Sequence, residues 1–182
     1  MVKVPDSHDD TGYAVRYSDG STEVVFAATA PSWFVAQLRQ HDIDQVLEHP
    51  AALVEQLRRD GHSIQTSHFH TYCFGDDISL TEQPMIIHDD AESYSIVIDG
   101  RPVARAASSR SDDAAAELWI ETHPAHRRRG YATAVAQAWA TGVRQAGKIA
   151  FYSHHHDNVA SASLARRLGL SPLFDIIAIE LT

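Results

Sequence analysis

The feature that most constrains this chain is an arginine-rich loop set between an apolar strand and a long amphipathic helix. Leu118 to Thr122 reads as a strand. Arg127-Arg128-Arg129-Gly130-Tyr131-Ala132 follows and opens a helix in which Val135, Trp139 and Val143 recur every four residues. Thr133, Gln137, Thr141 and Gln145 form its opposite, polar face, and Gly147 marks its end. The first backbone N–H groups of a helix have no intrahelical partner, and the helix dipole adds partial positive charge there. Gly130 has no Cβ, so a phosphate can approach the backbone closely. The three arginines can add charge-assisted hydrogen bonds. This order predicts a phosphate site from Arg127 to Thr133. Neither a Walker phosphate loop nor Gly-x-Gly-x-x-Gly is present, so nucleotide hydrolysis and dinucleotide binding lack support.

The rest of the chain reads as two regions, 1–90 and 91–182. In the first, Ala14 to Tyr17 and Glu23 to Ala27 flank Ser18-Asp19-Gly20 as a hairpin. Helices open at Pro31-Ser32 and after His49-Pro50, the second stopping near Gly61, and Ser63 to Phe74 suits a strand. In the second, Tyr94 to Ile98 and Val103 to Ala107 form a hairpin about Asp99-Gly100. Ile149 to Ser153 and Leu173 to Leu181 read as strands around a short helix from Asn158 to Leu168.

Composition narrows the partners. Net charge is -9, which disfavours nucleic acid and suits a cationic acceptor, although solubility alone explains it equally well. The single cysteine, Cys73, excludes an intrachain disulfide and is expected to be a buried, inert thiol. Met1 to Asp10 is polar, and no stretch reaches the roughly 20 apolar residues of a membrane span, so a cytoplasmic protein without membrane contact is expected.

Two segments together carry a family resemblance. Glu117 to Ala132 resembles the fourth strand and coenzyme loop of GNAT acetyltransferases, whose loop reads Arg/Gln-x-x-Gly-x-Gly/Ala. Asn158-Val159-Ala160-Ser161, followed by Leu168-Gly169-Leu170, is similar to the family's Asn-x-x-Ser helix ending in Leu-Gly-Phe. The resemblance spans about residues 92–182, and residues 1–90 match nothing nameable. It implies an α/β fold: a twisted mixed sheet with helices on both faces, whose fourth and fifth strands splay apart around the coenzyme arm. It implies an N-acetyltransferase taking acetyl-CoA as co-substrate and an amine as acceptor. The backbone of Ile120 and Thr122 would then meet the acetyl-pantetheine. Arg127, Arg128, Arg129, Gly130, Tyr131, Ala132 and Thr133 would hold the pyrophosphate, and Asn158 and Ser161 would order the arm. The sequence leaves the oligomeric state open, a homodimer included.

The acid and base are less determined. Some relatives place a carboxylate six residues before the Thr122 position, which here is Ala116, with Glu117 beside it. A strand alternates faces, so Glu117 points away from the site unless a β-bulge intervenes. Glu121 is the competing carboxylate. Relatives also carry a tyrosine where this chain has Ala165, and a carboxylate where it has Ser153. His155 shares a face with Ser153 and is the histidine considered for proton transfer. His154 to His156 cannot converge on a metal without a turn, so no metal is expected. His68 and His70 share a face and are read as ordinary histidines. The competing reading is a non-catalytic acetyl-CoA-binding, regulatory or interaction module on the same scaffold.

Overall fold

The structure is a computed structural model and describes residues 11–75, 86–90 and 92–182. Contacts divide the chain into two units. One holds the described residues to Thr71 with His155–Asp157 and Pro172–Thr182; the other holds Tyr72–His154 and Asn158–Ser171.

The first unit opens with the expected hairpin. Strand β1 (Gly12–Tyr17) pairs antiparallel with β2 (Thr22–Phe26), and Asp19 accepts the Ser21 N–H at 2.9 Å to close the turn. Pro31, with φ already helical, precedes α1 (Ser32–Leu38), which buries Phe34 and Leu38 one turn apart. The segment expected as a connection between two helices is itself a helix, α2 (Ile43–Glu48). The Asp42 carboxylate accepts the Asp44 N–H at 3.0 Å and caps it, while Val46 and Leu47 are buried. Helix α3 (Pro50–Arg59) starts at its proline and buries Leu53 and Leu57. Strand β3 (Ile64–Cys73) and the final strand, β9 (Ser171–Leu181), complete this part in the order β2-β1-β9-β3. Ala14, Ile64, Ile177 and Ile179 face the helices, whereas Tyr13, Val15, Phe174 and Ile176 form a second cluster. That split is the two-residue period of a strand, here apolar on both faces.

The second unit is built on the strand order β8-β7-β6-β5-β4. Its strands are β4 (Ile86–Asp90), β5 (Ser93–Ile98), β6 (Arg101–Ser111), β7 (Ala115–Thr122) and β8 (Ile149–His155). Asp99 and Gly100, both at positive φ, make the β5–β6 turn. The pairs β4–β5, β5–β6 and β6–β7 are antiparallel, and β7–β8 is parallel. Helix α4 (Tyr131–Gln145) lays Val135, Trp139 and Val143 into a core with Ile96, Val103, Ala106 and Leu118. The buried Trp139 indole donates to the Ser108 hydroxyl at 3.1 Å. A Cβ at Gly142 would collide with the Tyr94 hydroxyl, so a larger residue there requires Tyr94 to shift. Helix α5 (Val159–Arg167) packs beside α4. Nine strands and five α-helices among the described residues make the mixed α/β architecture that the resemblance implies.

Cys73 is only partly buried, not fully as expected, with its sulfur 3.7 Å from the Ala150 carbonyl oxygen.

Candidate coenzyme site

The site begins where a ladder ends. β7 and β8 pair at Ala115/Ile149, Ala116/Ala150 and Glu117/Phe151, and no further. Both strands continue, so Leu118–Thr122 runs on without β8 beside it. This is the expected splay. The backbone directions in β7 follow from alternation. Ala115 O accepts from Asp112, and His123 N–H donates to Val103, both on the β6 side. Ala114 O accepts the Ile149 N–H on the β8 side. Even-numbered residues therefore turn their amides toward the gap, namely Leu118, Ile120 and Thr122. Two of these are the backbone groups that the resemblance selects.

The loop that follows is held locally. Pro124–His126 forms a single 3₁₀ turn, capped by His123 Nδ1, which accepts the Ala125 N–H at 3.3 Å. The Arg127 guanidinium donates to the Thr122 carbonyl at 3.2 Å, spending part of its capacity on the loop itself. Arg128 (φ 60) and Gly130 (φ 82) have positive φ, and Arg129 between them does not. Alternation of this kind turns successive N–H groups into one concavity, an anion-binding nest. Gly130 is the N-cap of α4 and supplies no side-chain cap, and nothing lies within 4 Å of where its Cβ would be. The open amides of α4, the positive helix end and the space above Gly130 fit a pyrophosphate. Thr122 Oγ1 and His126 Nδ1 are buried and have no hydrogen-bond partner among the described residues. Such orphaned atoms at the same loop are what a polar ligand would satisfy.

The other residues singled out from sequence fall as follows. Asn158 Oδ1 accepts the Ser161 N–H at 3.0 Å and so caps α5. Ser161 also hydrogen-bonds the Tyr152 phenol, whose proton affinity burial raises and that bond partly lowers. Ala165, at the usual tyrosine position, is 1% exposed and part of the core. Glu117 is buried, and Arg110 holds one of its carboxylate oxygens through Nε at 2.9 Å and Nη2 at 2.8 Å. The β-bulge lies in β6, where the register shifts between Ser108 and Arg110, and not in β7. Glu117 therefore keeps the parity of Trp119 and Glu121, opposite the core-facing Ala116 and Leu118. Glu121 is exposed and pairs across the ladder with Arg105. His155 lies in the first unit, its Nδ1 2.6 Å from the Asp157 carboxylate. His154 lies in the second unit, stacked on Tyr72.

Sequence reasoning missed Arg110 as the partner of Glu117, and it missed His126. It also read His68 and His70 as unremarkable, whereas both sit beside Asp175 in the first unit. Burial holds the His68 imidazole below its ordinary pKa, and neighbouring His70 and His156 add to that.

A splayed parallel pair followed by a nest and a helix N-terminus is an arrangement that can accept an anion. A family model described as GNAT acetyltransferase matches residues 91–175. That segment, somewhat under half of the chain, is similar to the GNAT superfamily. Solved structures are similar at low identity. A GNAT-family acetyltransferase from Colwellia psychrerythraea is 12% identical, with TM-score 0.57 over 94% of this chain and 81% of that one. A GCN5-related N-acetyltransferase-like protein from Streptococcus suis is 17% identical, with TM-score 0.52 over 99% and 87%. A protein assigned to the GNAT family from Novosphingobium aromaticivorans is 16% identical, with TM-score 0.53; the match covers 65% of this chain and 66% of that protein. These likenesses show the fold. No curated protein matches the chain. No helix among the described residues is long and apolar enough to cross a membrane.

Proposed function

We propose that the protein is an acetyl-CoA-dependent N-acetyltransferase whose coenzyme lies between β7 and β8 with its pyrophosphate on the α4 N-terminus. The observation that carries this reading is the conjunction at one loop of open α4 amides, the nest at Arg128–Gly130 and the orphaned Thr122 Oγ1 and His126 Nδ1. Arg128 and Arg129 supply charge, and Arg127 braces the loop through Thr122. Asn158 and Ser161 act by fixing the start of α5.

In the transfer, the neutral amine nitrogen attacks the acetyl carbonyl carbon, the carbon–sulfur bond breaks, and the coenzyme leaves as a thiolate. The Thr122 N–H is the proposed donor to the developing oxyanion, because it faces the gap and needs no reorganisation. Glu117 is a poor base, since taking a proton would strip Arg110 of its counter-ion. Glu121 shares the strand face of Glu117 but is exposed, so this reading assigns it removal of the amine proton through water and not by direct contact. A thiol with pKa near roughly 8.5 leaves without a dedicated acid, so Ala165 does not silence the reaction. The pH profile of His155→Ala tests whether that residue, whose Nδ1 lies 2.6 Å from Asp157, moves a proton in the reaction. Asp44 and Glu48 hold Arg16 at 2.8 and 3.4 Å, so their charge is partly compensated and gives only mild attraction for a cationic acceptor.

The test is acetyl-CoA-dependent thiol release across an amine panel covering polyamines, aminoglycosides, amino acids and peptide N-termini. Release with one class supports the enzyme and names its acceptor. Tight acetyl-CoA binding with no release from any class replaces it with a coenzyme-binding module, the reading that Ala165 and the paired Glu117 would then explain.

A further inference from the structure

In the first unit, the face that buries Ile64, Ile177 and Ile179 turns polar at one end. His68 and His70 continue the Ile64 face of β3 by the two-residue period. Asp175 does the same on β9, the neighbouring strand. Thr182 N–H donates to Ser63 O at 3.0 Å, and that antiparallel register, carried along, sets His70 opposite Asp175. The two side chains meet at 2.5 Å. The ligand atoms of His68, His70 and Asp175 all lie within 4.8 Å of one another, and all three residues are partly buried.

We propose that His68, His70 and Asp175 bind a divalent first-row transition cation, with the fourth coordination position open. Two imidazoles and a carboxylate are the donor set that zinc and its neighbours take in open sites. Metal–ligand distances of roughly 2.0–2.1 Å in a tetrahedron place ligand atoms about 3.3 Å apart. The His70–Asp175 contact must therefore widen by under about 1 Å and the widest pair close by about 1.5 Å, which side-chain rotation accommodates without moving the strands. Charge favours a cation too. Arg16 lies opposite Asp175 on β1, but its guanidinium is bridged to Asp44 and Glu48. Three carboxylates thus face one guanidinium, an excess of negative charge. The His68 backbone carbonyl accepts the His156 N–H at 2.9 Å, and the His156 ring stacks on His68 at 5.0 Å, which limits its rotation. His155, His156 and Asp157 also approach one another, but they are adjacent in sequence and two of them are exposed, so His155 and Asp157 serve as the control.

The experiment uses the full chain stripped with chelator and titrated with Zn²⁺ by calorimetry, with circular dichroism on every variant. The expected result is one equivalent bound with micromolar or better affinity and a Tm that rises with Zn²⁺. His68→Ala and Asp175→Asn should each weaken binding at least tenfold. Asp175→Asn keeps a near-identical shape and so tests the ligand without unfolding the strand. The combined variant His155→Ala, Asp157→Asn, which leaves the His156 ring on His68 in place, should bind as the wild type does. Absence of saturable binding overturns the proposal, as does affinity unchanged in Asp175→Asn or lost only in the control variant.

Discussion

Arg110→Met would leave the Glu117 carboxylate, 7% exposed, without its guanidinium. Removing one partner of a fully buried ion pair costs roughly 3–5 kcal/mol. The Arg110 side chain is 49% exposed, so solvent screens part of the loss, and about 2–3 kcal/mol is expected. For a chain of this length each kcal/mol moves Tm by about 2–4 °C, giving a fall of roughly 4–12 °C. Glu117→Gln keeps an acceptor toward Arg110 and should cost about 1 kcal/mol or less. The two variants separate structure from chemistry. If Glu117 were the catalytic base, its amide would lower kcat by roughly 10²–10⁴-fold. The ion pair assigns it to stability, so kcat in Glu117→Gln should stay within about threefold of wild type. Thermal melts followed by circular dichroism, and thiol release under conditions where both proteins are folded, read the two effects. A hundredfold loss of kcat at unchanged Tm would refute the reasoning and make Glu117 the base. An unchanged Tm in Arg110→Met would show that the pair stabilises nothing.

Two further outcomes follow from the second unit. Burial pushes the Glu92 carboxyl up, but hydrogen bonds from Lys148 at 2.6 Å, from Ser108 and from Ser111 outweigh it and hold its pKa below the ordinary value. A depressed carboxyl stabilises the fold above its ordinary pKa, near roughly 4.3, and loses that contribution as pH falls through the depressed value. Lys148→Met should therefore cost about 1–2 kcal/mol at pH 7 and flatten the acid limb of the stability profile; superimposable acid limbs in chemical denaturation would contradict this. Ala165→Tyr restores the tyrosine of relatives in a site with no room for it, and overpacking should cost about 1–3 kcal/mol without raising kcat. A faster variant with unchanged Tm would show instead that the acid was missing.

What was legible from sequence was local. The candidate phosphate loop could be read from sequence because Gly130 and the arginines immediately precede the four-residue apolar recurrence of α4. The splay did not come from residue pattern; it came with the resemblance, and in the structure it is the early end of the β7–β8 ladder. Helix α2 was missed because its six residues are too few to establish a period, and its stability comes from the Asp42 cap and from burial of Val46 and Leu47. Arg110 was invisible as the partner of Glu117 because the extra residue at Ser109 sets which β6 side chain arrives there. His70 and Asp175 are 105 residues apart, and only the placement of β9 beside β3 joins them.

The central claim is that acetyl-CoA rests its pyrophosphate on the amides at Gly130. Gly130 sits at φ 82 with open space where a Cβ would go, so Gly130→Ala incurs about 1–2 kcal/mol of backbone strain and no steric clash within the protein. The added methyl would stand in the proposed phosphate position. Charge-assisted hydrogen bonds are worth roughly 1.5–3 kcal/mol each, so displacing even one should weaken affinity at least tenfold. Calorimetric titration of both proteins with acetyl-CoA, alongside circular dichroism to confirm that both are folded, is the direct measurement. The account predicts tight one-to-one binding by the wild type and at least a tenfold loss in Gly130→Ala. Equal affinities, or no binding by the wild type, would contradict it.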